Sequence, residues 1–350
     1  MTTRTSADPP PTLTEVVLPG VVEPDGLIIR QRPVPSPEKG QALVQMLATG
    51  VSFAEQGMRR NRYPGQPKFP FVLGYDLVGT VTAVGPGVAD TLIGQRVAAV
   101  TKTGAWSTYA LIDARDLVPV PESVDAAEAE TLVVNGITAW QMLHRKAHAR
   151  PGQTILVHGA NGGVGNTLLQ LARHAGIRVI ATASPRHHDR LREMDANPID
   201  YNDPDLPDHV RNLAPHGVDA VFDHLGGSSF KRSFELLAPG GTLVAYGLAT
   251  QLREQSNMLV TFTRLYARLA FWSLLPNRRR ALFYNFWGGK HVRPTTFRQH
   301  LATDLTYVLN LLADGHITPH VAARIPLQEA SKAMTIAESR TVYGKIVITS

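Results

Sequence analysis

The sequence predicts an α/β protein in which a mostly β domain is joined to a doubly wound domain with a parallel sheet. Short apolar runs alternate with Pro- and Gly-rich turns from Glu15 to about Val120. The segment Thr154 to Gly165 (TILVHGANGGVG) joins an apolar, β-rich run to a glycine-studded turn. A chain of 350 residues is also long enough to form two domains rather than one.

The first domain is predicted from short runs with β character. Examples are Ala42 to Ala48, Gly79 to Val84 and Arg96 to Val100, which are separated by Pro and Gly pairs. We expect these runs to form a compact, mostly β domain. The first eleven residues (MTTRTSADPPP) lack the apolar stretch of a secretory signal, and we expect a disordered tail there.

A βαβ unit is predicted near the start of the second domain. Residues Ala126 to Ala147 have a helical pattern, and the apolar run Thr154 to His158 then predicts a strand. A helix from Val164 to Ala175 and a second strand from Ile177 to Ala183 follow the glycine turn. This order of strand, turn, helix and strand is typical of a nucleotide-binding unit.

Later segments extend this sheet and then return to the first domain. Val218 to Phe222 and Thr242 to Tyr246 are short apolar runs that suit buried parallel strands. Thr295 is a candidate cap for a helix running through Leu312, and Gly344 to Ile348 predicts a final strand. We expect these last elements to fold back on the first domain.

The composition limits the classes of function. The absence of cysteine excludes disulfides, Cys-ligated zinc and a thiol nucleophile, and it fits the reducing cytoplasm in which we expect the protein. The formal charge of +6 is scattered and accompanies no nucleic-acid-binding motif, so we expect no such partner. Arg264 and Arg268 interrupt the apolar run Met258 to Leu275, which therefore predicts a packed amphipathic helix and no membrane span.

The glycine-rich turn predicts a nicotinamide cofactor, because glycines let the backbone pass close to a pyrophosphate. The amides and the dipole at the start of the following helix attract the anion. NAD-dependent proteins hold the ribose 2′-hydroxyl with an acidic residue about twenty positions farther on. Here that region reads Ser184-Pro185-Arg186-His187-His188, and a hydroxyl and a planar cation suit the 2′-phosphate of NADPH.

The whole pattern resembles the zinc-independent quinone oxidoreductases of the medium-chain dehydrogenase/reductase superfamily. The similarity covers nearly the full chain. Its motifs are Gly50 to Pro64 (GVSFAEQGMRRNRYP), Phe71 to Gly87 (FVLGYDLVGTVTAVGPG), Leu132 to Trp140 (LVVNGITAW), Ala160 to Gly165 (ANGGVG) and Gly344 to Ile348.

The resemblance implies an α/β fold with two domains. Residues 1–128 and 293–350 would form a split GroES-like, mostly β substrate domain, and residues 129–292 a doubly wound Rossmann domain that binds NADPH. It further implies that the nicotinamide lies in the cleft between the domains and that the protein is a homodimer.

The resemblance also implies a set of cofactor-binding residues. Thr138 would contact the nicotinamide end, and Gly247, after the last apolar run, belongs to the same set. Ser184, Tyr201 and either Arg186 or His187 would surround the 2′-phosphate, and the spacing does not choose between the last two. The turn that binds the pyrophosphate would consist of Ala160, Gly162, Gly163, Val164 and Gly165.

The chain departs from related sequences at two motifs. Where the family commonly has Asn-x-x-Asp, this chain has Ser52-Phe53-Ala54-Glu55, which keeps a hydroxyl and a carboxylate but alters their reach. Zinc alcohol dehydrogenases use a Cys and a Gly-His-Glu motif. This chain has Gly74-Tyr75-Asp76 there and no cysteine, so we expect no catalytic metal.

Without a metal, the hydride acceptor must be reactive by itself. A quinone or another α,β-unsaturated carbonyl meets this requirement, because conjugation spreads the incoming charge onto oxygen. We therefore expect an NADPH-dependent, cytoplasmic quinone oxidoreductase. Tyr63 matches a tyrosine that faces the substrate in related enzymes and is a candidate proton donor or pocket wall, and Ser52 and Glu55 are candidates for orienting the substrate.

Two other functions stay open at this point. An NADPH-dependent enoyl or ene reductase of a biosynthetic pathway would use the same residues. The aromatic and basic segment Gln251 to Pro294 looks like an extension that covers the pocket or supports a dimer, and its aromatic part Phe271 to Trp287 would allow a roomier apolar pocket for this second function. The alternative from another class is a non-enzymatic NADPH-binding structural or interaction protein.

Overall fold

The computed structural model describes residues 12–249, 258–339 and 341–350. The chain divides into two compact units. The first unit consists of the chain up to Val134 together with the segment from Pro294 to Ser350. The other unit runs from Asn135 to Arg293. The sequence prediction had placed these boundaries at 128/129 and 292/293. The tail 1–11, for which we expected disorder, and residues 251–257 of the aromatic segment lie outside the described residues.

Short strands form most of the first part of the chain. The predicted runs 42–48, 79–84 and 96–100 lie within the third, fifth and sixth strands. The elements are β1 Thr12–Leu18, β2 Ile28–Pro33, β3 Gln41–Val51, α1 Phe53–Arg59, β4 Phe71–Val72, β5 Asp76–Val84, β6 Arg96–Val100, β7 Tyr109–Asp113 and β8 Val118–Pro119.

Helices and strands alternate in the middle of the chain. The predicted strand 154–158 is confirmed residue for residue. The elements are α2 Ala126–Trp140, β9 Thr154–His158, α3 Gly163–His174, β10 Arg178–Ala183, α4 His188–Glu193, β11 Ala196–Asp200, α5 Leu206–Leu213, β12 Val218–Asp223, α6 Ser229–Glu235, β13 Leu237–Ala245, α7 Met258–Leu274 and β14 Arg280–Phe283.

The strands of the middle unit form a parallel sheet in the order β11-β10-β9-β12-β13-β14. The strand order therefore reverses between β9 and β12, as in a Rossmann fold. The strands are apolar along their length because helices cover both faces of such a sheet. Leu156, Ile180, Val221 and Leu243 accordingly lie in one buried core with Phe230 of α6.

The end of the chain completes the first unit. Its elements are α8 Pro294–Ala313, β15 Val321–Pro326, α9 Ala330–Ser339 and β16 Lys345–Thr349. β16 pairs antiparallel with β3, so the predicted return of the last strand to the first domain is confirmed. The larger, mostly antiparallel sheet has the order β15-β16-β3-β5-β6-β8, with β7 also on β3, and a smaller sheet has the order β2-β1-β4.

Helix α7 shows the predicted division into a packed and an exposed face. Leu265 and Leu269 are buried in the core of their unit, whereas Phe271 and Leu274 are exposed. Within the described residues, none of the helices has both the length and the apolar character required to cross a membrane.

Candidate active site

Two glycines of the turn between β9 and α3 have no room for a side chain. A Cβ atom on Gly163 would lie 2.3 Å from Asn135 Nδ2, and one on Gly165 would lie 2.4 Å from the carbonyl oxygen of Gly159. Gly159 itself has a φ of +66° and lies against the ring of His224. These contacts fit a backbone that a pyrophosphate approaches closely.

The predicted pyrophosphate residues all lie at the start of α3. Gly162 is the N-cap, Gly163 and Val164 open the first turn, and Ala160 is buried and donates its N–H to Thr182 O at 3.1 Å. Amides in the first turn of a helix have no carbonyl partner within the helix. The turn is therefore suited to bind an anion.

The turn lies at the carboxyl edge of the parallel sheet, where the strand order reverses. His224 follows β12 at this edge, and its ring faces Gly159. Gly247 follows β13, and a Cβ atom there would lie 2.9 Å from His224 O. The structure thus brings the predicted Gly247 close to a residue that sequence reasoning missed.

The predicted 2′-phosphate residues follow two neighbouring strands. Ala183 of β10 pairs with Asp200 of β11, so Ser184 and Tyr201, which directly follow these strands, lie side by side. The amide of Tyr201 donates to Ala183 O at 3.3 Å, and 56% of Tyr201 is exposed. A hydroxyl and a phenol are therefore both available at this edge.

Arg186 and His187 interact with each other. Arg186 Nε donates to His187 Nε2 at 3.1 Å, and this arrangement requires a neutral imidazole. Burial lowers the pKa of His187, and the positive charge of Arg186 lowers it further. The exposed Arg186 thus carries the charge that suits a phosphate, while His187 holds its guanidinium.

A buried polar network lies at the ends of β9 and β12. His158 contacts Thr182 Oγ1 at 3.0 Å and Ser233 Oγ at 3.1 Å, and Ser233 Oγ and Ser229 Oγ each donate to Asp223 Oδ2 at 2.7 Å. Burial lowers the pKa of His158, and the charge of Asp223 opposes that shift only in part. Sequence reasoning missed this network, although a polar residue ends each of the two apolar strands.

Thr138 lies one helical turn after Asn135 on α2, and both side chains are 7% exposed. Asn135 packs against the turn through Gly163. The sequence prediction named Thr138 and missed Asn135. A single amide within the apolar stretch LVVNGITAW was the available signal.

Tyr63 lies in the loop after α1, next to a second tyrosine. The hydroxyl oxygens of Tyr63 and Tyr75 are 2.5 Å apart. Their rings are nearly perpendicular at 84°, with centroids 5.8 Å apart. Lys102 Nζ lies 5.9 Å from the centre of the Tyr63 ring. The structure therefore surrounds Tyr63 with a phenol and a cation.

Ser52 and Glu55 form a capping box at the start of α1. Glu55 Oε2 accepts hydrogen bonds from the amide and the hydroxyl of Ser52, and Glu55 Oε1 accepts one from the amide of Tyr75 at 2.8 Å. The Glu55 side chain is fully buried, and burial, followed by the charge of Asp76, raises its pKa. The carboxylate thus joins α1 to Tyr75.

Asp76, the residue after Tyr75, belongs to a buried cluster of charged side chains. Lys345 Nζ lies 3.1 Å from Asp76 Oδ2 and 2.6 Å from Glu130 Oε1. Burial raises the pKa of Glu130 well above its usual value; Lys345 opposes the shift and Asp76 adds to it. Among the described residues, no three His, Asp or Glu side chains come together as a set of metal ligands.

Two protein families match the chain. Residues 38–122 match the alcohol dehydrogenase GroES-like domain, and residues 196–348 match the family described as zinc-binding dehydrogenase. The first match lies in the mostly β unit. The second begins in the Rossmann unit and extends through the return to the first sheet.

Curated relatives match along nearly the whole chain. The synaptic vesicle membrane protein VAT-1 homolog of Rattus norvegicus is 33% identical over 97% of this chain and 84% of its own. The 2-haloacrylate reductase of a Burkholderia species is 29% identical over 93% of this chain and 95% of its own.

Solved structures agree with these matches. Mycobacterial Rv1454c complexed with NADPH is 27% identical, with a TM-score of 0.82 over 97% of this chain and 100% of its own. The quinone oxidoreductase of Pseudomonas syringae is 25% identical, with a TM-score of 0.83 over the same shares of the two chains. The chain is therefore an NAD(P)H-binding oxidoreductase, and it belongs to the zinc-independent quinone oxidoreductase family of the medium-chain dehydrogenase/reductase superfamily.

Proposed function

We propose that this protein is an NADPH-dependent quinone oxidoreductase that reduces a quinone or another α,β-unsaturated carbonyl without a catalytic metal. The observation that carries the proposal is the arrangement of Ser184, Arg186 and Tyr201 just after strands β10 and β11, at the same edge of the sheet as the glycine turn. A hydroxyl, a guanidinium and a phenol beside an anion-binding helix start suit a nucleotide with a third phosphate. The structure of a relative with NADPH bound supports this choice.

Each cofactor-binding residue has a role in this proposal. When bound, the reduced nicotinamide supplies the hydride. Amides of the turn Ala160 to Gly165 bind the pyrophosphate, Thr138 contacts the nicotinamide end, and Gly247 leaves room for the cofactor beside His224. Arg186 binds the 2′-phosphate, and His187 positions its guanidinium.

Tyr63 is the proposed acid that returns a proton to the reduced substrate. Negative charge that reaches the carbonyl oxygen of a conjugated acceptor must be neutralised, and a phenol keeps its proton near neutral pH. Ser52 and Glu55 contribute by holding α1 and the main chain of Tyr75, the partner of Tyr63.

A second candidate is an enoyl or ene reductase. The name of the Burkholderia relative, 2-haloacrylate reductase, favours it, because an acrylate carries a conjugated C=C bond. The residues proposed above would serve either substrate class.

A homodimer, which the family resemblance implies, is a further proposal that light scattering of the purified protein tests.

The test is a panel of three acceptors: one quinone, one enone and one enoyl thioester. Turnover of each acceptor is measured with NADPH and with NADH, before and after the protein is treated with a chelator. We expect turnover with NADPH on at least one acceptor and no loss after the chelator. Tight NADPH binding without turnover on any acceptor would support the non-enzymatic class instead. A stoichiometric zinc ion required for turnover would contradict the metal-free proposal.

Cofactor preference is tested with the paired change Arg186→Ala and His187→Ala. A charge-assisted hydrogen bond contributes roughly 1.5–3 kcal/mol, so the preference for NADPH over NADH should narrow about tenfold to a hundredfold. Arg192→Ala is the control, because Arg192 is exposed on α4 and pairs with Asp189. An unchanged ratio of kcat/KM values for the two cofactors in the double variant would rule out the proposed phosphate site.

A further inference from the structure

The hydrogen bond between Tyr63 and Tyr75 joins an accessible phenol to a buried one. Tyr63 is half-buried, whereas Tyr75 is 3% exposed. Their hydroxyl oxygens are 2.5 Å apart, and the edge of one ring faces the other. A hydroxyl both donates and accepts a hydrogen bond, so the direction of this one decides what Tyr63 can do.

The main chain fixes Tyr75 from both sides. Its amide donates to Glu55 Oε1 at 2.8 Å, and its carbonyl oxygen accepts from the amides of Thr101 and Lys102 at 2.9 and 3.0 Å. Gly74, just before it, has a φ of +106°, and a Cβ atom there would lie 2.2 Å from the amide of Trp106. The phenol of Tyr75 therefore projects from a rigidly held backbone.

Hydrogen bonds also hold the loop that carries Tyr63. The amide of Tyr63 donates to Gln66 Oε1 at 3.3 Å, and Lys102 Nζ donates to Gly65 O at 2.5 Å. This contact keeps the ammonium group of Lys102 near the Tyr63 ring. Tyr63 is thus the half-buried member of a fixed pair that also faces a cation.

We propose that Tyr75 is a positioning residue for Tyr63, an inference that rests on the proposed function. Its hydroxyl donates a hydrogen bond to the Tyr63 oxygen, which leaves the proton of Tyr63 directed at the substrate. When that O–H bond breaks, the proton goes to the reduced substrate and the electron pair stays on Tyr63 as a phenolate. The Tyr75 hydroxyl and the Lys102 ammonium stabilise this phenolate until a proton from water restores the phenol.

The residue type at the position of Tyr75 distinguishes this chain from the zinc alcohol dehydrogenases. It stands in Gly74-Tyr75-Asp76, where zinc alcohol dehydrogenases carry the histidine of a Gly-His-Glu motif. At the position where those enzymes carry a metal ligand, this chain has a phenol whose hydroxyl contacts the proposed acid.

The test uses Tyr75→Phe, which removes one oxygen and keeps the ring, together with Tyr63→Phe and the double variant in the full-length protein. We expect kcat of Tyr75→Phe to fall about tenfold to a hundredfold with little change in KM, because a hydrogen bond to a charged group is lost. The double variant should be no slower than Tyr63→Phe. Tyr109→Phe is the matched control, since Tyr109 is buried with Leu13 and Leu43 in the same unit.

The pH profile separates positioning from a structural role. The charged and titratable groups near Tyr63 and Tyr75 include Lys102, Glu55 and Asp76. Loss of a hydrogen bond to the phenolate makes the phenolate harder to form, so the alkaline limb of kcat should move to higher pH in Tyr75→Phe. A purely structural defect would lower the rate at every pH without moving this limb.

A readout without turnover distinguishes failure of this inference from failure of the proposed function. The ¹³C resonance of Tyr63 Cζ, the ring carbon that bears the hydroxyl, can be assigned by its loss in Tyr63→Phe. This resonance should titrate at higher pH in Tyr75→Phe than in the wild type. Full activity of Tyr63→Phe would show that Tyr63 is not the acid in the proposed reaction. Loss of activity in Tyr63→Phe, with the rate, the alkaline limb and the resonance unchanged in Tyr75→Phe, would overturn the inference alone.

Discussion

At the scale of single residues, the glycines of the cofactor turn are required by their neighbours. A Cβ atom on Gly165 would meet the main chain of Gly159 and Ala160 at 2.4 and 2.8 Å, and backbone atoms cannot move aside as a flexible side chain can. Gly162 is less confined, with Gly159 O at 3.4 Å. The same turn therefore contains a glycine that tolerates a methyl group poorly and one that tolerates it better.

We predict that Gly165→Ala destabilises the Rossmann unit by about 1–3 kcal/mol, the usual cost of overpacking a well-packed site. NADPH affinity should fall at least about tenfold, because the start of α3 must shift. Chemical unfolding and fluorescence titration with NADPH measure the two effects. Gly20→Ala is the control, since nothing lies within 4 Å of the added methyl group. Wild-type values for both quantities in Gly165→Ala would contradict this account of the turn.

The sequence predicted these glycines but not the residues that confine them. Gly163 could be recognised from the local pattern ANGGVG. Its neighbour Asn135 lies on a different helix, and the neighbour of Gly159, His224, follows a strand far along the chain. Contacts between residues so distant in sequence depend on strand order, which periodicity does not report.

At the scale of elements, α1 connects the residues proposed for substrate handling. Ser52 accepts a hydrogen bond from the amide of Ala54 at 3.0 Å, and Glu55 Oε2 accepts one from the amide of Ser52. Loss of an N-cap costs about 0.5–2 kcal/mol. We therefore predict that Ser52→Ala lowers the free energy of unfolding by about that amount and lowers kcat by a small factor through the loosened support of Tyr75.

Urea unfolding and steady-state kinetics of Ser52→Ala test this prediction. Asp113→Ala supplies the comparison, because Asp113 caps a short helical turn elsewhere in the same unit by accepting from the amide of Arg115. A rise in KM for Ser52→Ala that far exceeds the rise in Asp113→Ala at equal loss of stability would show that Ser52 itself orients the substrate, the role for which the sequence makes it a candidate.

Element boundaries were predicted well where a local signal ends the element. Strands β6 and β9 match their predicted bounds because a turn residue or a polar residue stops each apolar run. The helix predicted for 126–147 instead ends as an α-helix at Trp140 and continues as a π-helical turn through Lys146. Helix α8 begins at Pro294, so Thr295 lies in its first turn and is not the cap, since proline fits the first position of a helix.

At the scale of the whole molecule, buried charge links stability to pH. The first unit buries the carboxyl groups of Asp76 and Glu130 beside the ammonium group of Lys345, and it also buries Glu55, whose pKa is raised by burial and in part by the charge of Asp76. Burial lowers the pKa of Lys345, but the charges of Asp76 and Glu130 outweigh it and the pKa is raised overall. Burial raises the pKa of Glu130 well above its usual value, so we expect Glu130 to hold a proton more readily than an exposed glutamate does.

The directions of the pKa shifts give stability a maximum in pH. Arg115 holds the pKa of Asp113 at about 2, below its usual 3.8, so this contribution is present above pH 3.8 and is lost as the pH falls through 2. Glu55 and Glu130 act in the opposite sense, because their folded pKa values are raised. Their contribution is complete below their usual pKa of 4.5 and is lost as the pH rises through the folded values.

We therefore predict that the free energy of unfolding decreases from weakly acidic to alkaline pH, and that Glu130→Gln flattens this decrease. A glutamine matches the protonated acid in shape, and its oxygen can still accept from Lys345, so the variant keeps the native contact without a proton to lose. Each proton bound only by the folded state contributes a slope of up to about 1.4 kcal/mol per pH unit. Urea unfolding at a series of pH values measures the slope, with the exposed Glu122→Gln as control. Equal slopes in wild type and Glu130→Gln would contradict a raised pKa of Glu130 in the folded protein.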